Sequence, residues 1–160
     1  AGLPEPPHAR LVSASVLAPD GRQTATVCVT DEIRLEVIYD ILYDHAYIVP
    51  AFRLYNEQGV LIFTVTHSEA LPGIYRRDKG RYRSIATIPP NLMAVGKHTV
   101  SIGLNTPSSG KLIRHEVIEH GLTFYVHEAP LGDRSALGPY VSVKGTVRPL
   151  CRWVDEMVHV

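Results

Sequence analysis

Apolar and polar residues alternate with a period of two along most of this chain. In "EIRLEVIYDIL", Ile33, Leu35, Val37, Tyr39 and Ile41 alternate with Glu32, Arg34, Glu36 and Asp40. That pattern predicts a strand with one core face and one wet face. In "HTVSIGLN", Val100, Ile102 and Leu104 alternate with Thr99, Ser101 and Gly103, and "LTFYVHE" places Leu122, Phe124 and Val126 in the same phase. Further β-rich runs are "ARLVSASVL", "TATVCV", "GRYRSIATIP" and the closing "YVSVKGTVRPLCRWVDEMV", with turn signals such as "APDGR" between runs. Many short strands with turns between them predict an all-β fold, an immunoglobulin-like antiparallel β-sandwich of two sheets. Helical periodicity is nearly absent. "PNLMAV" and "IRHEVIEH" are the only candidates, each for a single turn too short to pack as a helix.

One segment departs from simple alternation. "VPAFRLYNEQGVLIFTV" reads as two short runs, apolar on both faces, around a polar tip. Asn56 first and Gly59 fourth in "NEQG" suit a type I turn closed by a left-handed glycine and a bulge. In that register Asn56 faces Val60, Tyr55 faces Leu61 and Arg53 faces Phe63. Phe52, Leu54, Ile62 and Thr64 then lie on the core face. The expected core comprises Leu35, Val37, Phe52, Leu54, Ile62, Val100, Ile102, Leu104, Phe124 and Val126. The other face shows Arg53, Tyr55, Leu61 and Phe63, an unusual mixture for a purely solvated surface.

With 160 residues the chain is expected to form one domain with a proper core. The Pro-rich start suggests that residues 1–8 are a linker arriving from something upstream, with the domain spanning 9–160. A formal net charge of zero gives no long-range field for nucleic acid or an anionic membrane. No apolar run is long enough to span a bilayer, and no signal peptide is visible. The two cysteines, Cys28 and Cys151, lie in strand-like runs and are expected to be free, buried thiols in a reducing compartment.

The search for catalytic chemistry finds none. "HEVIEH" looks like a zinc-peptidase motif, but His115 and His120 are five apart, and Glu119 occupies the position of the second ligand. No Walker-type phosphate loop, G-x-S-x-G or contextual Cys–His pair occurs, so no cofactor, metal site or enzyme activity is expected in this chain. "YRRDKGRYR" surrounds Asp78 with Arg76, Arg77, Lys79, Arg81 and Arg83. It reads as a solvated loop whose charges guard an edge strand, or else as an anion site.

The ordered set "DEIRLEVIYDIL", "VPAFRLYNEQGVLIF", "IPPNLMAVGKHTVSIGL", "LTFYV" and "GTVRPLCRWV" resembles the C-terminal carbohydrate-binding domain of the ATP-binding subunit of O-antigen-type polysaccharide ABC exporters. The resemblance covers roughly Ala9 to Val154. Two departures are Val95 before Gly96, where Pro is common in the family, and the unusually basic "YRRDKGRYR". The resemblance implies an immunoglobulin-like sandwich and a cytoplasmic, non-catalytic module, peripheral to the inner membrane through the transporter. It implies recognition of a lipid-linked polysaccharide before export. The implied partners are the glycan, the exporter's nucleotide-binding domain and membrane subunit, and a second copy, with exchange of the last strand in some members. No family motif fixes the binding residues.

From strand parity, the outer face of the hairpin sheet gathers Arg53, Tyr55, Phe63, Ser101, Gly103, Asn105, Tyr125 and His127. Rings can stack on the C–H faces of sugars, while Arg, Asn and Ser hydrogen-bond hydroxyls. The expected glycan site is centred on Arg53, Tyr55 and Tyr125. The alternative is a structural module with no glycan binding of its own. Its apolar face would then be a dimer interface, reached by Val141 to Trp153 across a Gly/Pro-rich loop.

Overall fold

Each β-rich run buries one face, so the strands segregate into two sheets that press their apolar faces together. The computed structural model describes residues 6–67, 71, 73–129, 145–147, 149 and 151–158. Its strands are β1 (Ala9–Leu17), β2 (Thr26–Cys28), β3 (Ile33–Ile41), β4 (Ala46–Tyr47), β5 (Val49–Tyr55), β6 (Leu61–Thr66), β7 (Arg76–Arg77), β8 (Gly80–Ile88), β9 (Gly96–Ser108) and β10 (Lys111–His127). One sheet has the order β1-β3-β8, the other β2-β10-β9-β5-β6, and β4 pairs with β7. Pairing is antiparallel throughout except between β10 and β2, which run parallel.

The core is the expected one with one softening. Leu35, Val37, Leu54, Val100 and Phe124 are fully excluded from solvent, and Phe52, Ile102, Leu104 and Val126 nearly so. Ile62 is only half-buried against them. In β3 the alternation holds over the whole strand, with Tyr39 at the centre donating to or accepting from Ser84 Oγ at 3.2 Å. Burial pushes the Tyr39 phenol up to about 12, so it stays neutral.

The sandwich is closed along one side and open along the other. On the closed side, β10 reaches across to the first strand. The His8 backbone N–H donates to His115 Nδ1 at 3.1 Å, and the Leu11 N–H donates to Glu116 Oε1 at 2.9 Å. His115 Nε2 lies 2.7 Å from Thr106 Oγ1, whose hydroxyl donates to the Tyr47 carbonyl. On the open side the edge strands β6 and β8 stand apart. Phe52, Val65, His67, Ser84 and Ile85 line a cleft of about 370 Å³ between them.

Several expectations need correction. "PNLMAV" and "IRHEVIEH" form no helical turn: the first is irregular chain and the second lies within β10. Cys28 is buried and free, but Cys151 is exposed. The hairpin tip is as read. Gly59 has φ +78°, Asn56 N–H donates to the Val60 carbonyl at 3.0 Å, and Asn56 Oδ1 accepts from Gln58 and Val60. Tyr55 pairs with Leu61, but Leu54 then pairs with Phe63, because Ile62 is an extra residue in the ladder. Arg53 therefore faces Thr64, not Phe63. Thr64 moves to the outer face, and Phe63 turns inward to pack against the core. The closing strand falls partly outside the described residues. Of its described part, Val147 makes an isolated bridge to Met93, and Cys151–Val158 carries no strand.

Candidate functional site

The outer face of the five-stranded sheet carries most of the polar side chains singled out from the sequence. Arg53 pairs across with Ser101, Ala51 with Gly103, Val49 with Asn105 and Tyr55 with Thr99. On the far side of β9, Arg114 pairs with Asn105, Val117 with Gly103 and Thr123 with Thr99. Paired residues share a face, so all of these side chains point away from the core.

A bulge in β10 shapes this face. Between Ile118, which pairs with Ile102, and Leu122, which pairs with Val100, three residues of β10 oppose one of β9. His120 sits there with φ +49°, a left-handed conformation uncommon outside glycine. Ser101 secures it: its Oγ accepts from the His120 backbone N–H at 2.8 Å and donates to Glu119 Oε2 at 3.2 Å. His120 Nδ1 lies 3.0 Å from Thr99 Oγ1, and its ring tilts against Tyr55 with centroids 4.7 Å apart. Gly121 is required at this point, since an added Cβ would stand 2.8 Å from Ile118 Cγ2 and 3.1 Å from Ile102 Cδ1.

Beside the bulge is a notch of about 30 Å³, lined among others by Arg53, Ser101, Asn105, Arg114 and Glu119. Its apolar wall includes Ala51, Leu112 and Val117. Gly103 leaves room for the Asn105 amide to fold over it; a Cβ there would meet Asn105 Nδ2 at 3.0 Å. Asn105 is 7% exposed, yet its Oδ1 has no hydrogen-bond partner among the described residues. A buried acceptor left unpaired costs about 1–3 kcal/mol, so it marks a place where a donor is missing.

The model of the Wzt C-terminal domain family matches residues 7–140. The chain belongs to the Wzt C-terminal domain family. Its fold agrees: a crystal structure of the C-terminal domain of Wzt superposes with a TM-score of 0.72 at 12% identity, covering 94% of this chain and 85% of that one. A comparison with curated proteins finds no match. The family ties this Wzt C-terminal domain to a polysaccharide exporter of the ABC type.

Within this Wzt domain the sequence-derived candidates divide into groups. Arg53, Ser101 and Asn105 line the notch, and Tyr55 stands next to it with His120. Tyr125 and His127 share the outer face but lie further along β10, where Tyr125 pairs with Lys97 and with Thr26 of β2. Phe63 is absent from this face for the reason given above. Sequence reading missed Arg114, Glu119 and His120. Their signal was present in "RHEVIEHG", where a glycine inside a strand run suggests a bulge. Four of the five cations of "YRRDKGRYR" find partners within the chain. Arg81 and Arg83 bind Asp40 and Glu36, Arg77 stacks on Tyr75 and Tyr82, and Arg76 lies over Tyr47. Asp40 is correspondingly held below the usual carboxylate range, first by its hydrogen bond from Arg81.

Proposed function

We propose that this domain is a non-catalytic polysaccharide-binding module, which takes a lipid-linked O-antigen-type glycan on the outer face of its five-stranded sheet for export by the transporter. The observation that carries the reading is the Asn105 oxygen, buried without a partner in a notch beside the Tyr55–His120 ring pair. A sugar supplies what such a face lacks: hydroxyl donors for a buried acceptor, and C–H faces for rings. Arg53, Tyr55, Ser101 and Asn105 are the residues retained for contact. Tyr125 and His127 would meet the chain further along. The module works in the cytoplasm, held at the inner membrane through the nucleotide-binding and membrane subunits. The test is calorimetric titration of a panel of purified O-polysaccharides into the domain, alongside Asn105→Ala and Tyr55→Ala. Binding that both substitutions weaken supports the reading; no binding to any polysaccharide refutes it.

A second reading, assembly into a homodimer, is favoured by the C-terminal segment. Trp153, Val154, Met157 and Val158 are 82%, 85%, 91% and 78% exposed. Apolar side chains displayed this way are suited to a second copy, whose open β6–β8 side offers, among the described residues, unpaired strand edges and a cleft with Phe52, Val65 and Ile85 in its lining. The two readings use different parts of the molecule and are compatible. Light scattering of the full chain and of a chain ending at residue 150 tests the second. A monomer in both cases removes it.

A further inference from the structure

The charge around the notch narrows the class of sugar, and this inference rests on the glycan reading above. Arg53 and Arg114 reach the notch from opposite sides of β9, one paired with Ser101 on β5's side and the other with Asn105 on β10's side. Among the described residues neither forms an ion pair, whereas Arg10, Arg22, Arg81 and Arg83 all lie on carboxylates. Neither stacks on a ring, as Arg76 and Arg77 do. Among the described residues the carboxylate lining the notch is Glu119, which already accepts a hydrogen bond from the Ser101 hydroxyl. Two guanidinium groups against one carboxylate leave the notch with an excess positive charge.

Guanidinium is the side chain suited to planar, bidentate recognition of carboxylate or phosphate. The same notch is lined by Asn105, whose buried Oδ1 has no donor among the described residues. The notch of about 30 Å³ has room for a substituent but not for a pyranose ring. The ring must therefore rest across the mouth, beside Tyr55, while a substituent enters. We propose that this surface selects an anionic sugar, a residue bearing a carboxylate or a phosphate. The anion is held by Arg53 and Arg114, and a neighbouring hydroxyl or amide N–H of the same glycan donates to Asn105 Oδ1.

The test uses the full chain and a panel of bacterial polysaccharides containing uronic acids, phosphodiesters or neither. The best acidic binder is then re-measured after carboxyl reduction, which turns a uronic acid into a neutral hexose, and separately after removal of phosphate. One of these treatments is expected to weaken binding about tenfold or more, the loss of a hydrogen-bonded charge, and which one does so identifies the anion. Arg53→Gln and Arg114→Gln should each produce a loss of similar size for the acidic glycan and little for the neutralised one, with unchanged melting temperature. Affinity should also fall as salt rises from about 50 to about 500 mM. Equal binding of acidic and neutralised glycan, with both arginine variants silent, overturns the proposal and leaves the glycan reading standing. Binding to no polysaccharide overturns both.

Discussion

Acidification should loosen the closed side of the sandwich through His115. This side chain is 4% exposed, accepts the His8 N–H at Nδ1 and meets Thr106 at Nε2. Burial, and secondarily the neighbouring His8 ring stacked at 5.1 Å, lower its pKa from 6.5 to about 4. The folded state therefore prefers the neutral ring. Above pH 6.5 neither state binds the proton, and the contribution to stability is complete. As pH falls below 6.5 the unfolded chain takes up a proton that the folded chain refuses, and stability drops until the pH reaches about 4. Below that both states are protonated and the loss stops growing. A shift of this size corresponds to about 3 kcal/mol over the window, or roughly 6–12 °C in melting temperature for a domain of this size. The assay is urea or thermal unfolding followed by circular dichroism at steps between about pH 7.5 and about pH 4. His115→Gln is the control. It keeps an acceptor for the His8 N–H but cannot titrate, so its stability should vary less across the window. Parallel loss in wild type and variant would refute the assignment to His115 and put the pH dependence on carboxylates.

Truncating the core at Leu54, fully buried at the centre of β5, should cost about 2–5 kcal/mol in chemical denaturation; a smaller loss would mean that the two sheets collapse to fill the gap. Gly121→Ala should cost about 1–3 kcal/mol, because the new methyl group would overlap Ile118 and Ile102. It should also weaken polysaccharide binding by displacing the bulge, as read by calorimetry on the same protein. Tyr55→Ala should lower glycan affinity by about 1–2 kcal/mol with little change in melting temperature, since the ring is half-exposed and packs on His120. Tyr125→Ala, with 48% of its surface exposed and further from the notch, should cost less; an equal or larger effect would move the centre of the site toward β2.

Period-two alternation is local information, and the sequence carries it wherever a strand pairs without interruption. That is why β3 and β8 are legible, and why Leu35, Val37 and Tyr39 could be placed in the core from their spacing alone. The hairpin tip was legible for a similar reason, because Asn56 and Gly59 meet backbone demands within a few residues. A bulge is different: it is defined by two strands together, and one extra residue reverses the face of everything beyond it. The extra Ile62 turned Phe63 inward, and the bulge at His120 aimed Glu119 toward Ser101 and the imidazole toward Tyr55. Read alone, "RHEVIEH" looked like a broken metal motif and a candidate for a single helical turn. Only the pairing of β10 with β9 put Arg114 beside Asn105, Glu119 beside Ser101, and His115 on the inner side against His8. The sequence thus determined which residues prefer a sheet and which face of a regular strand is dry. The tertiary structure decided where the ladder slips, and with it which polar groups converge on one buried, unpaired oxygen.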